Sequence, residues 1–226
     1  MNPMKGMKIL ILLISSVVLV TSCEKSDDHY YDYQKTNITY DGTVYDYLIH
    51  QPGVYDSLVL MLERLPALKS KLNDPQNEVT FFAVNNRSFE LAIANLNSTR
   101  MSAGLSPLYI EDFNLNVLDT LAYRYVFDQN IDIHGIRNYK DGQTFASSKY
   151  DYTMHTQYRV LTSSGIVGGG EQQIVFSDVN ESIYKRYWQS TNTKSVDLQV
   201  TNGIFHTLSS QHDFGFGKLN KYFSTN

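Results

Sequence analysis

Apolar residues recur at helical spacing through the first half of this chain and at alternate positions through much of the second. Thr43-Val44-Tyr45-Asp46 predicts a helix start, with the Thr43 hydroxyl capping the helix and Asp46 reaching back to the cap. Pro52-Gly53 ends that helix. A second helix is predicted from about Tyr55, because Leu58, Leu62, Leu65 and then Leu72 return to one face. Pro66 either kinks it or opens a new short helix as its first residue, where a missing N–H costs nothing. Asn73-Asp74-Pro75 is the stop. Val79 to Val84 is apolar apart from Thr80, the pattern of a buried strand. Asn85 and Asn86 are positioned to cap a helix over about Ser88 to Leu96. Another helix is predicted from Ile110 to about Tyr125, with Phe113, Val117, Leu121 and Val126 on its apolar face.

After Gln129 the period changes to two. Tyr150, Tyr152, Met154, Thr156 and Tyr158 alternate with Asp151, Thr153, His155, Gln157 and Arg159, which predicts a half-buried strand with its tyrosine stripe in the core. Ser163-Ser164-Gly165 and Gly168-Gly169-Gly170 read as turns or a loose hairpin tip. Gln172–Val179, Ser195–Val200 and Ile204–Ser209 read as strands, and Asn202-Gly203 as a hairpin turn, both residues tolerating positive φ. Helices first and strands last make an α+β domain, with no internal repeat and no second domain.

The N-terminus has a different pattern. Lys5 and Lys8 precede an apolar run, Ile9–Val20, of 12 residues interrupted only by Ser15 and Ser16. About 20 apolar residues are needed to span a bilayer, so this run reads as a secretory signal. It ends in Val20-Thr21-Ser22-Cys23, with the chain's single cysteine. Small residues before a lone cysteine resemble the bacterial lipobox, which implies cleavage before Cys23 and acylation of its thiol and amine. The two or three chains of a bacterial lipoprotein anchor firmly, since each buried CH₂ adds about 0.8 kcal/mol. Glu24-Lys25-Ser26-Asp27-Asp28 follows; it resembles the surface-export signal of Bacteroidota lipoproteins, or is a hydrophilic tether. The expected organisation is a signal peptide over 1–22, a lipidated tether over 23–40, a domain over 41–217 and a tail over 218–226. The expected location is the outer membrane, facing outward or, alternatively, the periplasm.

Composition narrows the function. One cysteine excludes an internal disulfide framework, and a net charge of −4 argues against a nucleic-acid partner. There is no GxSxG, HExxH, Walker loop or CxxC. The six histidines are scattered; His206 and His212 lie on a shareable face, but no third ligand is evident. Gly165–Gly170 is followed by no helix and does not read as a phosphate loop. No metal and no cofactor are expected. The best binding signal is aromatic: Tyr184, Tyr187 and Trp188 flank Lys185 and Arg186, which suits either stacking on a sugar or packing in the core.

Three motifs, in order, resemble the fasciclin-domain family. Thr80-Phe81-Phe82-Ala83-Val84-Asn85-Asn86-Arg87-Ser88-Phe89 is similar to its strand-then-helix motif, TxFAPTDxAF. Tyr123-Arg124 stands at its central Tyr-His position, and Asn202-Gly203-Ile204-Phe205-His206-Thr207-Leu208 is close to its terminal NGxIHxID motif. The resemblance covers about Thr43 to Phe216 and implies helices packed on a β-sandwich or wedge formed largely by the C-terminal half. It also marks 128–202 as long for the family, implying inserted loops or an extended hairpin. Val84, Asn85-Asn86 and Arg124 depart from the pattern; Arg124 in place of histidine removes the ground for transferring the integrin binding linked to that region in animal members. The motif residues Phe82, Ala83, Asn85, Phe89, Tyr123, Asn202, Gly203 and His206 read mainly as structural, His206 as a core histidine bonded to backbone.

These readings converge on a non-catalytic, lipid-anchored surface protein that binds an extracellular glycan or a surface protein. The alternative is a structural subunit of an outer-membrane assembly, and a third is a hydrolase with an unrecognised site. The oligomeric state and the ligand are not encoded in any motif.

Overall fold

The structure is a computed structural model that describes residues 38–162 and 170–225, all within one compact unit. The signal segment, Cys23, the acidic cluster behind it, most of the tether and the turns at 163–169 lie outside the described residues.

The first half is helical, for the local reasons seen in its sequence. Helix α1 (Val44–Ile49) begins with a full capping box: Asp46 N–H donates to Thr43 Oγ1 at 3.1 Å, and the Thr43 N–H donates to the Asp46 carboxylate at 3.0 Å. Helices α2 (Asp56–Arg64) and α3 (Pro66–Asn73) meet at Leu65, so Pro66 opens a new helix. Leu58, Leu62, Leu65, Leu68 and Leu72 are all buried. Strand β1 (Val79–Ala83) is buried at every position. Helix α4 runs Asn86–Ser102, longer than expected, and starts at Asn85, whose side chain accepts the Ser88 N–H. The expected helix from Ile110 to Tyr125 is three pieces: a 3-10 turn, helix α5 (Leu115–Ala122), and a second 3-10 turn that leads into strand β2 (Val126–Phe127). Asn114 resets the direction by capping α5, accepting the Asn116 and Val117 N–H groups.

A short helix α6 (Ile133–Ile136) and strands β3 (Gln143–Ala146), β4 (Thr153–Val160), β5 (Gln172–Asp178), β6 (Gln189–Val200) and β7 (Gly203–Leu208) follow. The sheet order is β2-β1-β7-β6-β5-β4-β3, antiparallel except for the parallel pair of β1 with β7. Three strand spacings separate β1 from β5, about 14 Å in a flat sheet. Yet Phe82 of β1 stacks on Phe176 of β5 with ring centroids 4.1 Å apart. The sheet is therefore folded on itself into a wedge. The bend lies in β6, whose first part pairs with β5 and whose last part pairs with β7, across register shifts and a left-handed Asp197 at φ +57°. Phe82, Phe127, Phe176, Tyr125 and His206 fill the wedge.

Four sequence expectations are corrected here. The chain ending at 218–226 is not a tail throughout: Lys218–Phe223 is helix α7, with Leu219 and Phe223 buried and Phe223 stacked on Phe113 at 4.7 Å. The tether is pinned before residue 41, because Ile38–Tyr40 lies along the edge of β6, with the Tyr40 N–H donating to Gln199 O at 2.8 Å. The hairpin turn is Thr201–Asn202, neither at positive φ, while Gly203 is the first residue of β7 at φ +138°. A Cβ at Gly203 would stand 1.8 Å from Val79 O, so the close approach of β1 is what requires glycine. Last, the tyrosine stripe is not one strand face, since β4 starts at Thr153 and Tyr150 sits exposed in a turn at φ +70°.

Candidate functional site

The motif residues are placed inside the fold. Phe82, Ala83 and Phe89 are buried, and Phe89 stacks on Phe214 at 4.4 Å. Asn85 bridges β1 to the end of β7, donating from Nδ2 to Leu208 O at 3.3 Å. Asn202 joins three elements: its Oδ1 accepts the Val44 N–H at 2.8 Å, and its Nδ2 donates to Leu72 O at 3.0 Å and Asp74 O at 3.1 Å. His206 is fully buried, and both ring nitrogens are bonded to backbone: Nδ1 accepts the Asp197 N–H at 3.1 Å, and Nε2 donates to Ile131 O at 2.8 Å. That assigns the Nε2–H tautomer and leaves no lone pair for a metal. His212 is bound elsewhere, to the Tyr125 hydroxyl, and no cluster of three metal-ligating side chains occurs among the described residues. Tyr123 is buried, edge-on to the Tyr150 ring.

The aromatic segment behaves differently. It lies in the β5–β6 connection, which is held together by its own hydrogen bonds. Asp178 Oδ1 accepts the Asn180 N–H at 2.8 Å, with Asn180 and Glu181 both left-handed. Ser182 Oγ accepts the Tyr184 N–H at 3.1 Å, and Ser182 O accepts the Trp188 indole N–H at 2.7 Å. With its backbone satisfied locally, the loop leaves Ile183 86%, Tyr184 57% and Tyr187 50% exposed. Burying each such side chain would gain roughly 2–3 kcal/mol, so this grouping of exposed rings is a surface feature and not a part of the core. Trp188 is half-buried, its ring 4.8 Å from that of His155. The Arg186 guanidinium lies 5.2 Å from the Tyr184 ring and 4.8 Å from Tyr187, and Lys185 Nζ lies 5.8 Å from Trp188. The five residues picked out in the sequence thus form two contact groups on this loop, Tyr184 with Arg186 and Tyr187, whose rings are edge to face, and Lys185 with Trp188; together they are called the shelf below.

Trp188, Ile183, Val179, Thr144 and Thr153 line an open groove of about 480 Å³ beside the shelf. His155 supports Trp188 from below. Its Nε2 donates to Asp141 O at 2.8 Å while its buried Nδ1 has no partner, and burial holds its pKa below the ordinary histidine value. In the sequence His155 reads only as a polar position of β4.

A second cavity adjoins the first across Thr153, Val179 and Glu181. On its floor Asp178 Oδ2 receives both Arg124 Nε at 3.1 Å and Lys218 Nζ at 3.0 Å. Arg124 also lies 3.8 Å over the Tyr152 ring and donates to Thr120 O at 2.7 Å. Arg124, Asp178 and Lys218 come from three distant parts of the chain, and the sequence marks only Arg124, as a departure from a motif.

No known family model and no curated protein match the chain. Among solved structures it is similar to a FAS1 domain pair from the insect cell adhesion molecule Fasciclin I, with a TM-score of 0.50 and 15% identity. The match covers 76% of this chain and 50% of that one, so this chain spans about half the length of the pair. A likeness at this identity concerns the fold, which agrees with the wedge, the N-terminal helices and the central parallel pair described above: the chain has a fasciclin-like α+β fold.

Proposed function

We propose that this protein is a non-catalytic, lipid-anchored surface protein that binds an extracellular glycan on the shelf Tyr184–Trp188. The observation that carries this reading is the exposed aromatic loop, held open by its own hydrogen bonds, with Arg186 over its two tyrosine rings and Lys185 over Trp188. Flat rings take the apolar face of a sugar, and neighbouring N–H and O–H groups take its hydroxyls. An adhesion role agrees with the fold, since the similar structure comes from a cell adhesion molecule.

Glycan-array binding of the full chain in mild detergent tests the reading. Saturable binding of one sugar class, competed by the free sugar and lost in Trp188→Ala, is the expected result. Ile183 favours a second reading, docking to a protein partner in a surface assembly, because an aliphatic side chain 86% exposed suits a protein interface better than a sugar. Under that reading the array stays blank, and cross-linking on intact cells through the loop captures a protein.

A further inference from the structure

The cavity next to the shelf has a chemistry of its own. It encloses about 480 Å³, within the usual range for a small-ligand site. Tyr150, Tyr152 and Tyr222 line its walls, and Arg124, Lys218 and Lys221 contribute three cations. Its floor is electrostatically unbalanced. Arg124 and Lys218 converge on the same oxygen of Asp178, and the other oxygen is engaged by the Asn180 N–H. Two cations thus share one carboxylate. Arg124 is 4% and Asp178 5% exposed, so this excess positive charge sits where water screens it poorly. Asp151 and Glu181 also line the cavity, so the lining as a whole carries three cations and three carboxylates; those two and Lys221 are exposed, where charge is well screened, and the imbalance is that of the floor cluster of Arg124, Lys218 and Asp178. Lys218 spends two donors, on Asp178 and on Asn180 Oδ1 at 2.6 Å, and an ammonium has three.

We propose that this cavity binds a sugar ring that carries a carboxylate, so that the glycan recognised by the protein is an acidic one containing uronic acid. The carboxylate meets Lys218 at the floor and the exposed Lys221 beside it, the tyrosines face the ring, and Asp151 and Glu181 accept its hydroxyls. The cavity shares Thr153, Val179 and Glu181 with the groove under Trp188, so one chain of sugars occupies both. This inference rests on the glycan reading of the shelf and adds the charge of the ligand.

The test titrates the full chain, in mild detergent, with oligomers of galacturonate, glucuronate and mannuronate, each beside its methyl ester. The ester keeps the ring and removes the charge. The expected result is that one acid form binds about tenfold or more tightly than its ester, the scale of a charge-assisted contact. Lys218→Gln and Lys221→Gln should each erode that preference, and added salt should weaken the acid form more than the ester. Lys221 is exposed, so its variant reads the charge without disturbing the floor. Equal binding of acid and ester, or a preference that survives both lysine variants, overturns the proposal. If only neutral glycans bind and Trp188→Ala removes them, the cavity assignment falls and the shelf stands. If folded protein binds no glycan at all, both fall.

Discussion

His212 gives the fold a built-in dependence on pH that can be worked out from its contacts. The Tyr125 hydroxyl oxygen accepts the Gly215 N–H at 2.8 Å and shares a hydrogen bond with His212 Nε2, 2.7 Å away. The ring is buried and packs edge-on against Phe216 at 4.6 Å, surroundings that favour the neutral imidazole. Burial pushes its pKa down to about 3 from an ordinary 6.5. Because the folded value is depressed, the unfolded chain takes up a proton first as pH falls, and stability is lost over the window from 6.5 down to about 3. Between pH 7 and pH 5 this amounts to about 2 kcal/mol, at ~1.4 kcal/mol per unit. Asp213 next to it works in the opposite direction, since burial raises its carboxyl and acid then favours the fold. Comparison with a variant removes that contribution. His212→Gln keeps an acceptor for Tyr125 and loses the titration. Urea denaturation of both proteins at pH 7 and pH 5 should show the wild type losing about 2 kcal/mol more than the variant over that interval. Equal losses in the two proteins would refute the assignment of a buried neutral imidazole.

Three further outcomes are open to measurement. Gly203→Ala should lower stability by about 3 kcal/mol or more in denaturant titrations, because the added methyl runs into Val79 O and the residue sits at positive φ. Asn202→Ala should cost about 3 kcal/mol by the same measurement, one for each of the buried hydrogen bonds to Val44, Leu72 and Asp74. Cys23→Ser should abolish labelling by radioactive fatty acid and release the protein from the membrane fraction; unchanged labelling and attachment would remove the lipid anchor from the account.

The parts of the fold that were legible in the sequence are those whose causes are local. Thr43 with Asp46, Asn85 before its helix and Pro66 at a helix start each act within one turn of chain, and each stands where the pattern put it. Strand β1 was equally clear, since a continuous apolar run has only the core to go to. Misreadings arose where periodicity ran past its element. Tyr150 and Tyr152 continue the alternation of β4, yet the chain there is in a turn, and two left-handed residues, Tyr150 and Asp151, break the strand. Helix α7 escaped notice because six residues give a weak pattern, although Leu219 and Phe223 are one turn apart and both buried. Strand β3 is four residues at the sheet edge, with only alternate positions partly covered.

The long-range features had no local signal. Nothing near Val79 announces a parallel partner over a hundred residues later, and nothing near Asp197 shows that its bulge will bend β6 and present its N–H to His206. The same holds for Arg124, Asp178 and Lys218, which the wedge brings together on one carboxylate oxygen. The aromatic cluster at Tyr184–Trp188 was visible as residues, but its exposure was not. The loop's own hydrogen bonds, from the Tyr184 N–H to Ser182 Oγ and from the Trp188 indole N–H to Ser182 O, hold these rings at the surface.

The most direct measurement is the binding of the full chain and its Trp188→Ala variant to a broad panel of neutral and acidic oligosaccharides, with near-ultraviolet circular dichroism to confirm that both are folded. The account predicts saturable binding of one sugar class by the wild type, competed by free sugar, and loss of that binding in a variant that keeps its fold. Blank binding by folded wild type, or full binding by folded Trp188→Ala, would contradict it.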